Sequence, residues 1–282
     1  MKKKTVVLVI LVILAICMCI PLVFIFSGSL MDSSELNELL SPVLGNGEGF
    51  VDLRLLPMYP TLRSIVELLL DSPKFFVMYW NSVKMTLLVL CGHLLIAVPA
   101  AWGFAQYNFK FKKALFLIYI VVMLMPFQVT MLSSYLVLDK FHLLNSIWSI
   151  VVPGIFSTFP VFIMYRFFKG IPKEIIEAAK IDGASDFKIF LKVGIPIGLP
   201  GIISAMVLGF IEYWNLIEQP LTFIKDKSIW PLSLYLPNIS LENADVAFVA
   251  SLITLSTSIM IFFAGQKYLK EGISASAGGK ES

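Results

Sequence analysis

Charge is scarce in this chain. Only 15% of its 282 residues are Asp, Glu, Lys or Arg, while 58% are hydrophobic. Soluble domains run at roughly 25% charged and about 45–50% apolar, so an ordinary soluble domain is excluded. Cysteine is scarce too: Cys17, Cys19 and Cys91 are odd in number and all lie in apolar runs, which excludes a disulfide framework. With two histidines in all, no Cys/His spacing matches a metal site. A G-x-x-x-x-G-K-[ST] string is missing; in the nearest one, "GGKES", Glu281 follows Lys280 where Ser or Thr would stand. Paired carboxylates and a Ser-His-Asp set are missing from the apolar segments as well, so no reaction class can be defended and no enzyme is expected. The net charge of +3 is small, and no nucleic-acid partner is expected.

What is present in quantity is long apolar sequence. A lipid-crossing helix needs about 20 mostly apolar residues, at 1.5 Å per residue across a core of roughly 30 Å. Six segments qualify: Thr5–Phe26, Asn81–Gln106, Ala114–Leu138, Leu144–Phe168, Gly198–Ile217 and Val246–Gly265. The expected fold class is therefore all-α, a polytopic integral membrane protein with about six transmembrane helices. The first segment follows Lys2–Lys4 and precedes Ser-Gly-Ser. Its apolar run of about 22 residues exceeds the roughly 7–15 of a cleaved signal peptide, so it reads as a retained signal-anchor.

Basic residues favour the cytoplasmic side of a membrane, and six spans put both termini on one side. With that side cytoplasmic, the inner face holds Lys2–Lys4, "KFKK" at Lys110–Lys113, Arg166, Lys169, Lys173, Lys180, Lys188, Lys192 and the tail lysines, about 15 of 22 basic residues. The outer side takes Asp32, Glu35, Glu38, Glu48, Asp52, Glu67 and Asp71. The outer stretch from Ser27 to about Tyr79 is too polar to span; it carries turn signals ("GNGEG", "LPMYP"). Within it Leu62, Ile65, Val66, Leu69 and Leu70 recur at helical spacing, which predicts an amphipathic helix on the outer interface or packed on the outer ends of the bundle.

The inner loop "KGIPKEIIEAAKIDGASDFKIFLKVGIPIGLPGI" is the most polar break in the second half. Pro172 suits a first helical position, and Glu174 and Glu177 complement the positive end of a helix. Lys180 falls in the last turn, and Gly183 can adopt the positive φ that ends a helix. Ser185 can cap a second short helix from Asp186 to about Val193, which Gly194 and Pro196 are expected to stop. Ile171, Ile175 and Ala179 line one side of the first helix, and Ala178 and Ala179 leave the backbone open to close approach. Such a helix suits a groove in another protein. Composition alone equally allows Ala as a plain helix former and Glu as a solubiliser.

The order of the residues adds a resemblance. Glu177-Ala178-Ala179, three residues, Gly183, nine residues and then Val193-Gly194-Ile195-Pro196 resembles the EAA loop of ABC-importer permeases. The usual ending there is Ile-x-Leu-Pro, from which Val193 and Ile195 depart conservatively. "EAAKIDGAS", "YWNSVKMT", "MPFQVTMLSSYLVLDKFHLLNSIWSIVVP" and "YWN" at Tyr213–Asn215 resemble the carbohydrate-uptake branch, specifically its maltose-type second permease. The resemblance runs from about Thr5 to Tyr268. It implies a type I ABC-importer permease fold in a bacterial cytoplasmic membrane, with both termini cytoplasmic. It divides the chain into an N-terminal anchor and extracytoplasmic loop (1–78), a permease core (79–268) with a coupling loop (169–197), and a cytoplasmic tail (269–282). Glu177, Ala178, Ala179, Asp182 and Gly183 would dock on a cytoplasmic ABC ATPase dimer, with Pro172, Ser185 and Pro196 shaping the loop. ATP and Mg would be bound by that ATPase, and no cofactor by this chain. A second, unlike permease subunit and an extracytoplasmic solute-binding protein complete the implied assembly, which would carry a sugar or oligosaccharide inward by alternating access.

Polar groups within lipid are costly and often functional. Gln128, Trp214 and Asn215 are the translocation-path candidates, the last two pairing a stacking ring with a hydrogen-bonding amide. His93, Glu212, Ser133 and Ser134 are further polar groups; the expectation for His93 is a partner serine on a neighbouring helix. An importer of a non-sugar solute is the nearest alternative. An ion-coupled carrier fits less well, since no acidic residue lies near the centre of the first four spans and no internal repeat is evident.

Overall fold

A computed structural model describes residues 2–44, 50, 54–235 and 243–277, and among these the chain is helical with no strand. The expected "GNGEG" turn at 45–49 and the last five residues of the tail lie outside the described residues. The helices are α1 (Lys2–Gly28), α2 (Ser33–Leu44), α3 (Arg63–Val66), α4 (Pro73–Gly92), α5 (Val98–Gln106), α6 (Lys112–Leu124) and α7 (Phe127–Lys140). They continue as α8 (Trp148–Ile155), α9 (Thr158–Lys169), α10 (Lys173–Ile181), α11 (Asp186–Ile189), α12 (Ile195–Trp214), α13 (Glu218–Phe223) and α14 (Ala244–Ala277). Among the described residues five helical stretches are long and apolar enough to cross a membrane: Lys4–Gly28, Pro73–Gln106, Trp148–Lys169, Asp186–Trp214 and Ala244–Lys270. The pair Lys112–Leu124 and Phe127–Lys140 makes a sixth if counted as one broken span.

Two of the expected spans differ from what the sequence suggests. Ala114–Leu138 is not one straight helix: α6 and α7 meet at 104°. Pro126 has no N–H to continue the ladder and pushes Met125 out of the helical region, to ψ 122. The expected stop at Gly194 and Pro196 does not occur either. A π-helical turn at Phe190–Gly194 joins α11 to α12, so a helix begun in the loop runs on to Trp214. Pro196 follows this turn directly, and the widened π-helical ladder accommodates its missing N–H within the continuous stretch.

The chain divides into two compact units, one made of residues 1–78 and 234–257 and the other of 79–233 and 258–282. In the first, α1 presents its apolar side chains outward along most of its length. Phe24 meets Phe248 edge-on at 5.4 Å, and Met31, Leu36 and Leu39 form a small core. The buried Glu35 carboxylate accepts the Met58 and Tyr59 amides at 2.9 and 3.2 Å, and Ser64 donates to Asp245 at 2.8 Å. Ser34 donates both its amide and its hydroxyl to Asp32, which holds that carboxyl below its ordinary range. The expected amphipathic helix is α3 followed by a π-helical turn at Glu67–Asp71. Leu62, Val66, Leu69 and Leu70 are exposed while Leu68 is buried. Most of the predicted stripe thus faces away from the unit's own core, while Ile65 is half-buried.

In the second unit α9 is central, packing on α5, α6 and α12. Close approach depends on glycines: a side chain at Gly198 or Gly201 would overlap the Phe168 or Phe167 ring. This is the small-residue contact by which helices associate in lipid. The stretch Trp148–Lys169 is interrupted at Phe156–Ser157, between α8 and α9. The Gly154 carbonyl at this break accepts the Ser157 amide at 3.0 Å and lies 2.9 Å from His93 Nε2 and 3.4 Å from the Tyr213 hydroxyl. His93 is therefore paired with a backbone carbonyl, not with the expected serine, and its Nε2 carries the proton that makes the bond.

Candidate functional site

The loop between α9 and α12 is built from well-defined local signals. Pro172 stands at the N-cap of α10, one residue before the position expected for it, and the helix covers nine residues, Lys173–Ile181. At its other end the Gly183 amide donates to the Lys180 carbonyl and the Ala184 amide to the Ala179 carbonyl, both at 3.0 Å. This pair of bonds is a Schellman motif, which needs a left-handed residue after the C-cap. Gly183 supplies it with φ +75, and open space surrounds the position a Cβ would take. The Ser185 hydroxyl then accepts the Lys188 amide at 3.4 Å and caps α11. Lys180 and Asp186 approach to 3.4 Å across the turn, but both are more than half exposed, so screening leaves little energy in the pair.

One face of α10 is tied to the transmembrane helices. Ile176, Ala179 and Ala184 pack against a cluster formed by Ala101 and Trp102 of α5, Met164 and Phe168 of α9, Ile189 of α11, and Ile202 of α12. The Trp102 ring meets Phe168 at 5.4 Å and Phe190 at 5.7 Å. Gly194 lets the π-helical turn pass close beside Trp102. Gln106, at the end of α5, donates to the Phe168 carbonyl at 2.6 Å. The loop is thus keyed to three spans by a packed core, and such cores shift between discrete arrangements rather than deforming smoothly.

The opposite face is open. Glu174, Glu177, Ala178 and Asp182 are exposed, and Ile181 is 86% and Phe187 69% exposed. The expected stripe of Ile171, Ile175 and Ala179 holds in part. Ile171 and Ala179 turn inward, but Ile176 takes the place expected of Ile175, which is 42% exposed. Trp102, Gln106, Phe168 and Phe190, which seat the loop, were not legible as a set, since they join three separate helices. The exposed Ile181 within "EAAKIDGAS" and Phe187 just after it were visible signals of an unpartnered apolar surface.

The three path candidates are placed apart in kind. The Gln128 side chain donates to Glu218 at 2.6 Å, linking α7 to α13, and Asn215 donates back to the Ile211 carbonyl at 2.8 Å; both are exposed. Trp214 is buried, stacked on Phe210 at 5.4 Å and met edge-on by Tyr79 at 5.5 Å. Among the described residues no group of three or more His, Cys, Asp or Glu is arranged to hold a metal.

Five helical stretches able to span a membrane, or six with the bent pair, and a loop helix with an exposed outer face define a multi-pass helical membrane protein. Residues 94–274 match the family model described as binding-protein-dependent transport system inner membrane component, and the chain belongs to that family. It is 25% identical to the arabinooligosaccharides transport system permease protein AraQ of Bacillus subtilis, covering 90% of this chain and 88% of that one. It is 31% identical to a probable ABC transporter permease protein of Pyrococcus horikoshii, over 77% of this chain and 81% of the relative. The lactose transport system permease protein LacG of Rhizobium radiobacter is 28% identical, over 70% of this chain and 73% of its own. A solved bacterial ABC transporter involved in the import of alginate shares the fold at TM-score 0.80 and 22% identity, covering 95% of this chain and 96% of that one.

Proposed function

We propose that this chain is the membrane-spanning permease of an ABC importer that brings a sugar or oligosaccharide into the cell, with α10 as the element gripped by a separate ATPase. The observation that carries the reading is the two-faced α10: an outer surface of Glu177, Ala178, Asp182 and Ile181, and an inner side on which Ile176 and Ala179 are half-buried against the cluster that contains Trp102 and Phe168. A force applied to the outer face is transmitted to α5, α9 and α12 as a rigid-body displacement, because the connecting core is close-packed. The basic bias of the inner loops supports placing α10 and both termini in the cytoplasm. The family's dependence on binding proteins supports an extracytoplasmic solute-binding partner. The arabinooligosaccharide, lactose and alginate relatives support a saccharide as cargo. Residues 79–268 form the permease core in this reading, and a second permease chain completes the pathway, with Gln128, Trp214 and Asn215 as candidate contributors.

The test is uptake of a panel of labelled oligosaccharides into proteoliposomes holding this chain with its sister permease, ATPase and binding protein. Uptake that requires both ATP and the binding protein supports the reading. Uptake driven by an ion gradient, with neither ATP nor ATPase present, overturns it.

A further inference from the structure

A cavity of about 900 Å³ lies between α9, α12 and α14, at the end of α9 that leads into the loop. Its lining is largely apolar, with Phe162 and Phe167 from α9, Leu208 from α12 and Phe262 from α14, and includes the Gln266 amide. Three cations, Arg166, Lys169 and Lys270, are among its lining residues. Among the described residues no acidic side chain lines it and none of the three cations is in an ion pair. Lys169 lies over the Tyr165 ring at 5.4 Å, which holds its charge beside the opening. The Ser204 hydroxyl in the wall is already committed to the Pro200 and Tyr268 carbonyls at 2.7 and 2.9 Å.

A saccharide could meet Tyr165, Gln266 and the three cations, but burying its remaining hydroxyls against the phenyl rings would be costly. An occupant with an anionic head and a hydrocarbon body matches both ends. Basic pockets between spans are a recurring solution for acidic headgroups. We infer that this cavity is a binding site for an anionic phospholipid, the phosphate held by Arg166, Lys169 and Lys270 and an acyl chain lying between Phe167, Leu208 and Phe262. The lipid is not cargo, so the site stands independently of the saccharide reading.

The experiment is native mass spectrometry of the assembled importer released from nanodiscs of phosphatidylglycerol and phosphatidylcholine. One phosphatidylglycerol is expected to stay on each copy of this chain, in preference to phosphatidylcholine. Neutralising one cation (R166Q, K169Q or K270Q) should weaken retention about five-fold, and all three on the order of a hundred-fold. L208W, which adds bulk to the apolar lining and leaves the cations alone, should displace the lipid, whereas K267Q, on α14 like Lys270 but outside the cavity lining, should not. Inorganic phosphate should fail to compete. Equal retention of the two lipids, an equal loss in K267Q, or displacement by phosphate alone would overturn the inference. So would an assembled importer that retains no lipid because a partner helix covers the groove.

Discussion

Replacing Gly183 gives the sharpest access to α10. Its φ of +75 lies where an L-residue pays roughly 1–2 kcal/mol, and no neighbouring atom stands within 4 Å of the added Cβ. The cost is therefore one of backbone conformation and not of collision. G183A should lose about 1 kcal/mol of the closed Schellman geometry and the β-branched G183V about 2 kcal/mol, a factor of roughly 5 and 30 in the population of the closed turn. G183N should be much milder, because Asn tolerates the left-handed region. The direct readout is amide exchange at Ala184, whose N–H closes the turn onto Ala179. Protection should fall in the order Gly, Asn, Ala, Val, while the transmembrane amides stay protected. Substrate-stimulated ATP hydrolysis by the assembled importer should fall in the same order. If G183V matches the wild type in both assays, or if G183N and G183V are equally damaged, the link between this turn and coupling is refuted.

Other expectations can be checked alongside. E177K changes an exposed residue, so thermal unfolding should move by no more than about 0.5 kcal/mol while stimulated ATP hydrolysis is lost. G194V forces a Cβ to within 2.6 Å of the Trp102 ring; overpacking of that kind costs about 1–3 kcal/mol and should appear as a lowered unfolding midpoint, relieved in part by a smaller residue at Trp102. Asp32 and Asp226 have carboxyls held below the ordinary 3.8 by bonds from Ser34 and Ser228. A depressed carboxyl stabilises its turn above the unfolded value and loses that effect as pH falls through the folded value. The Ser34 and Ser228 amides should therefore keep their bonds at pH 5 and lose them only at still lower pH, followed by exchange or amide chemical shift.

The sequence made some of this plain and left other parts hidden, for physical reasons. Long apolar runs located the spans because lipid demands them. Pro172 and Gly183 bounded α10 and Ser185 opened α11 because caps are local chemistry. Pro126 was equally visible, yet whether it bends a span or breaks it by 104° depends on how Met125 is held. Gly194 and Pro196 looked like a stop, but a π-helical turn packed beside Trp102 carries the helix through them. Helix α2 was hidden in a polar stretch: it rests on Leu36 and Leu39 and is supported by the Glu35 carboxylate bonded to Met58 and Tyr59. The choice of Ile176 over Ile175 as the inward, half-buried position likewise depends on where the cluster containing Phe168 and Trp102 lies, which spacing alone does not define.

The central claim, that α10 faces the cytoplasm and is held there by an ATPase, is tested most directly at Ile181, which is 86% exposed. With Cys17, Cys19 and Cys91 replaced, since all three are free and exposed, I181C should resist a membrane-impermeant maleimide on intact cells. It should react on inverted vesicles stripped of the ATPase and be shielded again when the ATPase is restored. Labelling of I181C from outside intact cells, or labelling from inside that the ATPase leaves unchanged, would contradict the account.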